Sequence, residues 1–288
     1  IAPAIAAIAA GNCVILKPSE HAPNTAEVIA NKLGDYIDNH AIKVVTGDVS
    51  VANELTQQPF DHIFYTGGSN GAKAVLRNAA QHLTPTTLEL GGKSPAIVSE
   101  DCDIEVTARR LVWGKYLNAG QTCIAPDYVL VQDSIRDTLI SKIKEQIELF
   151  YGSDPQQSDD YGRIISANHW QRLIKLLDDT DIISGGDYQR KDNYIAPTLI
   201  NLDGLDSEHP LHHEEIFGPL LPIKSVTSIQ AAIDYVIEKP KPLACYAFSK
   251  NNRTLEQIKE QVSAGSYCAN DTLMFMLNEA LPFGGVGQ

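Results

Sequence analysis

Thr86-Thr87-Leu88-Glu89-Leu90-Gly91-Gly92-Lys93-Ser94-Pro95-Ala96-Ile97-Val98 is two β-rich runs separated by a glycine pair. The first is β-branched and ends at Gly91-Gly92; the second, Pro95 to Ser99, is short and apolar. The same alternation continues on both sides. Upstream, Val14 to Leu16 reads as a strand, followed by a turn at Lys17-Pro18-Ser19 and a helix through Leu33. Lys43 to Val45 and His62 to Tyr65 read as further strands, the latter running on to Gly67-Gly68. A helix follows from about Ser69 or Asn70, both good N-cap types, to about His82. Downstream, 103–117 has helical spacing and Asp127 to Val131 is a strand. Ser134 with Asp137 resembles a capping box opening an amphipathic helix to Phe150. Residues 152–162 are rich in Gly, Ser, Pro and Asp and read as a loop. Strands alternating with helices predict an α/β fold on a parallel sheet, with a domain boundary near Gly91-Gly92.

Bulk properties narrow the function classes. A chain of 288 residues with 43% hydrophobic content divides its apolar side chains between more than one core, so two domains are expected. The formal charge of −13, with no basic run, repels phosphate and argues against a nucleic-acid partner. Five cysteines at 13, 102, 123, 245 and 268 form no CxxC pair. Neither a disulfide framework nor a zinc ribbon is suggested, and a reducing compartment is the simpler reading. The opening IAPAIAAIAAG lacks the basic start of a signal sequence, and no apolar run is long enough to span a bilayer. Both ends, Ile1 and the PFGGVGQ that closes on Gln288, read as cut in mid-structure, so a fragment is expected.

Two residues carry candidate chemistry. In Gly120-Gln121-Thr122-Cys123 a cysteine follows a glycine-bearing turn, with Pro126 ending any continuation, which presents a thiol at the edge of an element. The thiolate is the nucleophilic form, so such a cysteine needs a surrounding that favours ionisation. On these four residues alone a buried structural cysteine is the favoured reading, since cysteine is among the most buried residue types. Glu89, flanked by leucines at a strand end, is expected to have a raised pKa from desolvation, which suits a general base. An exposed charge on an edge strand is an equally good reading of Glu89 in isolation.

Taken together, the two segments resemble, position by position, the two signatures of the aldehyde dehydrogenase family, at a separation of 34 residues (123 − 89) that is also similar to the family's. The resemblance covers essentially the whole chain. HLTPTTLELGGKSPAIV, WGKYLNAGQTC, APDYVLV, YGRII and EEIFGPLLPI look like the class 3 branch, which acts on fatty and aromatic aldehydes. The resemblance implies a Rossmann-like cofactor domain over 1–90, an α/β catalytic domain over 91–269, and a segment 270–288 that returns toward the first. It implies NAD(P)-dependent oxidation of medium- or long-chain or aromatic aldehydes to acids. Cys123 would form a thiohemiacetal and then a thioester, and Glu89 would activate the hydrolysing water. The backbone N–H of Cys123 would be one oxyanion donor. In the family the other is a side-chain Asn, in a segment just before the position of Ile1.

Cofactor residues follow from the same resemblance. Lys17 and Glu20, in Lys17-Pro18-Ser19-Glu20, match the family's K-P-S-E and would hold the adenosine ribose hydroxyls. In isolation that tetrapeptide reads as a solvated turn. Glu20 favours NAD by repelling a 2′-phosphate, although class 3 enzymes accept NADP as well. Thr66-Gly67-Gly68-Ser69-Asn70-Gly71 lies between strand and helix, where phosphate approaches backbone N–H groups. It departs from the family at two places: Gly68 stands where Ser or Asn is usual, and Ala72 where a glycine is expected. Glu215 and Phe217, in Glu215-Ile216-Phe217-Gly218-Pro219, match E-[IV]-F-G-P and would bind the nicotinamide ribose and flank its ring.

Other residues read more plainly. Asn118 orients the turn that carries Cys123. Phe283 in Pro282-Phe283-Gly284-Gly285 matches a family segment near the active site and is a candidate substrate contact. Met274, Phe275 and Met276 line the aldehyde entrance or simply pack. His209, His212 and His213 beside Glu214 and Glu215 fit no common zinc spacing, so no metal is expected. Cys13, Cys102, Cys245 and Cys268 read as core or incidental. A homodimer is implied for the full-length protein, and a cytoplasmic location, membrane-associated if a following C-terminal segment carries an anchor. Two rival readings are a non-catalytic relative, against which Cys123 and Glu89 both speak, and an acylating enzyme that passes the thioester to coenzyme A, against which Glu89 speaks.

Overall fold

The computed structural model describes residues 1–287, which divide into two compact units, Ile1–Glu89 and the residues from Leu90 onward.

The first unit alternates helices and short strands: α1 (Ala2–Ala9), β1 (Val14–Leu16), α2 (Pro23–Lys32), β2 (Ile42–Val44), α3 (Val49–Thr56), β3 (Ile63–Gly67), α4 (Ser69–Ala79) and β4 (Thr86–Leu90). β1 and β2 pair in parallel, Val14 opposite Ile42, and β3 pairs with β4. Its core is small. Ala72, Val75 and Ala79, on one face of α4, are buried, and Val75 and Ala79 pack with Ile63, Phe60, Tyr65 and Leu88. That spacing of three and four residues is the buried stripe of an amphipathic helix.

The second unit is built on a seven-stranded sheet. Its helices and strands are β5 (Pro95–Val98), α5 (Ile104–Tyr116), β6 (Tyr128–Gln132), α6 (Arg136–Tyr151), α7 (Ala167–Lys175), β7 (Asp181–Ser184), β8 (Tyr188–Gln189), β9 (Tyr194–Ile195), β10 (Thr198–Asn201), β11 (Leu220–Val226), α8 (Ile229–Ile237), β12 (Ala244–Phe248), α9 (Asn252–Gln261) and β13 (Ser266–Ala269). The sheet runs in the order β13-β12-β5-β6-β11-β10-β7. Every pairing is parallel except β10 with β7. Central strands such as β5 and β12 are buried throughout, as expected where helices cover both faces of a parallel sheet. Alternate residues serve opposite faces. Ala96, Val98, Val129, Val131, Tyr246 and Phe248 join the core that includes Leu111, Leu139, Ile143 and Leu173 of α5 to α7. Ile97, Tyr128, Leu130, Cys245 and Ala247 join Ile233, Val236 and Ile258 of α8 and α9.

The predicted α/β pattern is present throughout, with local corrections. Ser134 does not cap α6: residues 133–135 form a 3-10 turn, and the Ser134 hydroxyl donates to the Glu100 carboxylate at 2.9 Å. Asp137 pairs with the adjacent Arg136 instead of closing a box. Side-chain N-caps are Asp48 on α3, Asp103 on α5, Ser166 on α7, Ser228 on α8 and Asn251 on α9, each accepting a first-turn N–H. The opening apolar segment is helical, and all of α1 is exposed or half-buried.

Candidate active site

The segments flagged downstream of Glu89 gather at one edge of the large sheet. Lys93 precedes β5, Cys123 and Asp127 precede β6, and 214–219 precedes β11. Because these strands are parallel, all three segments enter from the same side. That is the N-terminal edge, opposite to the one where open α/β sheets usually hold ligands.

Cys123 is half-buried and packs against the larger core. The chain reaches it through three consecutive residues with positive φ: Asn118 at 54°, Ala119 at 52° and Gly120 at 75°. Such a run is costly for L-residues and persists only where neighbours hold it. Two amides do this. Asn118 Nδ2 donates to the Gln121 carbonyl, and Gln121 Nε2 returns a bond to the Asn118 carbonyl, each at 3.0 Å. Gln121 also donates to the Arg163 carbonyl at 3.0 Å and accepts from the Ile165 N–H at 2.9 Å. Gly120 has no room for a side chain, because the Gly218 carbonyl lies where a Cβ would go. Beyond the cysteine, the Tyr246 hydroxyl donates to the Ile124 carbonyl at 2.5 Å. Asn118 therefore orients the turn, as its position suggested.

The 214–218 strap is held by charge. Asp127, almost wholly buried, pairs through Oδ1 with Lys93 and accepts the Ile216 N–H on Oδ2 at 2.8 Å. Lys93 also donates to the Glu214 carbonyl at 2.9 Å. Arg172 of α7 reaches the carbonyls of Glu215, at 3.2 Å, and of Ile216. The half-buried Glu215 carboxylate lies over Gly91, where any side chain would collide, and takes the Gly92 N–H. Burial, reinforced by the nearby Asp127 charge, pushes its pKa up to about 7. Phe217 adopts φ 49°, an uncommon conformation for an aromatic residue. Lys115 is buried close to this group, and desolvation lowers its pKa to about 8 against the pull of Asp127. Sequence reasoning missed Lys93, Asp127, Arg172 and Lys115. A lysine inside the helical stripe of α5 was the one available signal.

Among the candidates in the first unit, Glu89 sits one residue from the end of β4, half-buried. Burial raises its pKa above the ordinary carboxylate value, and its Oε2 is buried without a hydrogen-bond partner. Lys17 is pinned by the carbonyls of Pro18 at 2.9 Å and Gly47 at 2.8 Å, and pairs with Glu20 at 3.3 Å. Helix α4 begins at Ser69, so its N-cap is Gly68 and not Ser69 or Asn70; no side chain caps its first turn. The Tyr65 phenol packs against Gly67 and Gly71, which accounts for a glycine at 71, while Ala72 turns inward and is buried.

Phe283 is 44% exposed and stacks on Phe275, centroids 6.3 Å apart; Phe275 in turn lies 6.4 Å from Tyr246. Met274 and Met276 are exposed. The histidines near 212 point elsewhere: His209 to the Asp178 carbonyl, His212 to the Tyr235 hydroxyl, and His213 to the Ser207 carbonyl. Among the described residues no group of three or more His, Cys, Asp and Glu side chains is arranged to hold a metal.

The model of the aldehyde dehydrogenase family matches residues 1–288. The chain belongs to the aldehyde dehydrogenase family. It is 45% identical to the dimeric NADP-preferring aldehyde dehydrogenase of Mus musculus, over 100% of this chain and 63% of that protein. It is 46% identical to aldehyde dehydrogenase family 3 member A2 of Pongo abelii, over 100% of this chain and 59% of that one. Among solved structures, Staphylococcus aureus AldH in a substrate-bound state superposes with a TM-score of 0.95 at 44% identity, covering 99% of this chain and 62% of that one. The likeness to the class 3 branch thus runs the length of the chain, and the fold is that of an aldehyde dehydrogenase. This aldehyde dehydrogenase chain spans about three fifths of the length of these relatives.

Proposed function

We propose that the protein carrying this chain oxidises medium- or long-chain or aromatic aldehydes to carboxylic acids with NAD or NADP. The observation that carries the proposal is the Cys123 turn, a costly left-handed backbone fixed by Asn118 and Gln121 and ending in a half-buried thiol. A strained, over-determined turn at a nucleophile is what positioning for attack requires. The Cys123 thiolate adds to the aldehyde carbon to form a thiohemiacetal, whose oxyanion is met by the Cys123 backbone N–H. Bound NAD or NADP supplies the acceptor for the hydride lost from that carbon. A thioester on Cys123 remains. Glu89, its pKa raised by burial, takes a proton from the water that attacks it. The acid departs and the thiolate is restored.

The residues present suit a dinucleotide. Lys17 offers a fixed ammonium and Glu20 an exposed carboxylate for ribose hydroxyls. The uncapped start of α4 at Gly68, with Gly67 before it, offers backbone N–H groups to phosphate. Glu215 offers a second ribose acceptor, and Phe217 a flank for the nicotinamide. Glu20 favours NAD by charge, while one relative's name says that it prefers NADP. Phe283 is assigned to the aldehyde. Residues 1–90 are assigned to the cofactor and 91–269 to catalysis. A homodimer in a reducing, cytoplasmic compartment, with no nucleic-acid partner, completes the reading; the mouse relative is named as dimeric. No helix among the described residues is long and apolar enough to cross a membrane.

The test is formation of reduced nicotinamide by the full-length protein given hexanal and NAD or NADP. Cys123→Ser is expected to lower turnover by at least about a thousandfold while cofactor still binds; turnover near wild type removes Cys123 from the mechanism. Glu89→Gln is expected to accumulate a covalent acyl adduct, read as added mass on Cys123. Unimpaired turnover in that variant would assign the base elsewhere.

A further inference from the structure

The main chain of 214–216 is bound by three charged side chains from three separate elements. Lys93, from the link between β4 and β5, takes the Glu214 carbonyl; Asp127, at the start of β6, takes the Ile216 N–H; Arg172 of α7 takes the carbonyls of Glu215 and Ile216. Lys93 and Asp127 are also paired with each other, with side chains 10% and 4% exposed. Burying such a pair is costly unless its geometry and its remaining hydrogen bonds are well satisfied. An ordinary surface loop leaves these groups to water. Here the ionic clamp fixes a strap whose next residue, Phe217, is left-handed, and whose Glu215 carboxylate lies on the Gly91-Gly92 backbone.

We propose that Asp127 is a positioning residue for cofactor binding, acting with Lys93 to hold the 214–217 strap in the conformation that presents Glu215 and Phe217. This rests on the assignment of Glu215 to the cofactor ribose. The ion pair sets two things at once. Its geometry fixes the backbone at Glu214 and Ile216. Its two charges act in opposite senses on Glu215, Asp127 disfavouring and Lys93 favouring the ionised carboxylate. The other charged groups acting on this cluster are Arg172, which favours ionised Glu215, Lys115, which interacts with Asp127, Lys93 and Glu215, and Lys239, just after α8, whose charge interacts with that of Lys93.

The experiment measures NAD affinity from pH 5.5 to 9 for the full-length protein and for Asp127→Asn and Lys93→Gln, with folding checked by near-ultraviolet circular dichroism. Both substitutions nearly preserve volume, and either one folded suffices. The expected result is a Kd for NAD raised about tenfold or more in each. The pH midpoint of binding is expected to move down in Asp127→Asn and up in Lys93→Gln. Loss of rigidity alone has no reason to move the midpoint in opposite directions. A folded variant with affinity within twofold of wild type and an unmoved midpoint overturns the proposal. A wild-type protein that binds neither NAD nor NADP overturns the functional reading, and this inference with it.

Discussion

The turn that carries Cys123 and the strap that carries Glu215 meet where the Gly218 carbonyl fills the space beside Gly120. Both hold residues with positive φ, yet they are held by different chemistry. The cysteine turn is braced by neutral amides: Asn118 and Gln121 bond each other's main chain, and Gln121 reaches on to Arg163 and Ile165. The strap is braced by Lys93, Asp127 and Arg172. Neutral hydrogen bonds are insensitive to pH and salt over the range where an enzyme works. Buried charges are more strongly coupled to one another and to the protonation of their neighbours. A Cys123 turn with neutral bracing, beside a Glu215 strap with charged bracing, is the combination that results.

The largest expected break in this pairing is Gly120→Ala. The new methyl meets the Gly218 carbonyl and must adopt φ near 75°. Left-handed backbone costs about 1–2 kcal/mol for an L-residue, and a clash against main chain adds to it. A loss of roughly 3 kcal/mol or more is expected, read as a lower urea midpoint. Because both loops meet here, turnover and NAD affinity should fall together. A Gly120→Ala protein that loses turnover but binds NAD normally would show that the two loops are mechanically independent.

Much of this was legible in the sequence, and what was not has a physical reason. The alternation around Gly91-Gly92 predicts the α/β order because buried parallel strands read as short apolar runs, and β5 as PAIV is one. Cys123 and Glu89 are assigned their roles by resemblance alone, whereas the raised Glu89 pKa follows from its leucine neighbours. Lys93, Asp127 and Arg172 escape because each looks like an ordinary surface charge. Lys93 and Asp127 are 34 residues apart, and Asp127 and Ile216 are 89 apart. Only the parallel register of β5, β6 and β11 brings their N-terminal ends to one edge. The capping box at Ser134 fails for a related reason, since Glu100, distant in sequence, claims the hydroxyl.

The smaller effect, and the sharper one, is in pH. Glu215 is raised from 4.5 to about 7, so the folded protein holds a proton there that the unfolded chain has released. Its contribution to stability is therefore lost as pH rises from about 4.5 to about 7. Lys115 is lowered from 10.5 to about 8, so between about 8 and 10.5 the unfolded chain holds the extra proton and stability rises with pH. The cluster thus contributes a minimum of stability near pH 7 to 8. Urea midpoints against pH should show it, and Glu215→Gln should flatten the acidic side alone. Hydrogen exchange separates the loops directly. Protection of the Ile216 N–H, bound to Asp127, should follow pH once intrinsic exchange is corrected for. Protection of the Ile165 N–H, bound to the neutral Gln121, should change only as much as global stability does. Equal pH dependence at both amides would mean that the strap and the turn open as one unit, and that their different bracing has no consequence for how they move.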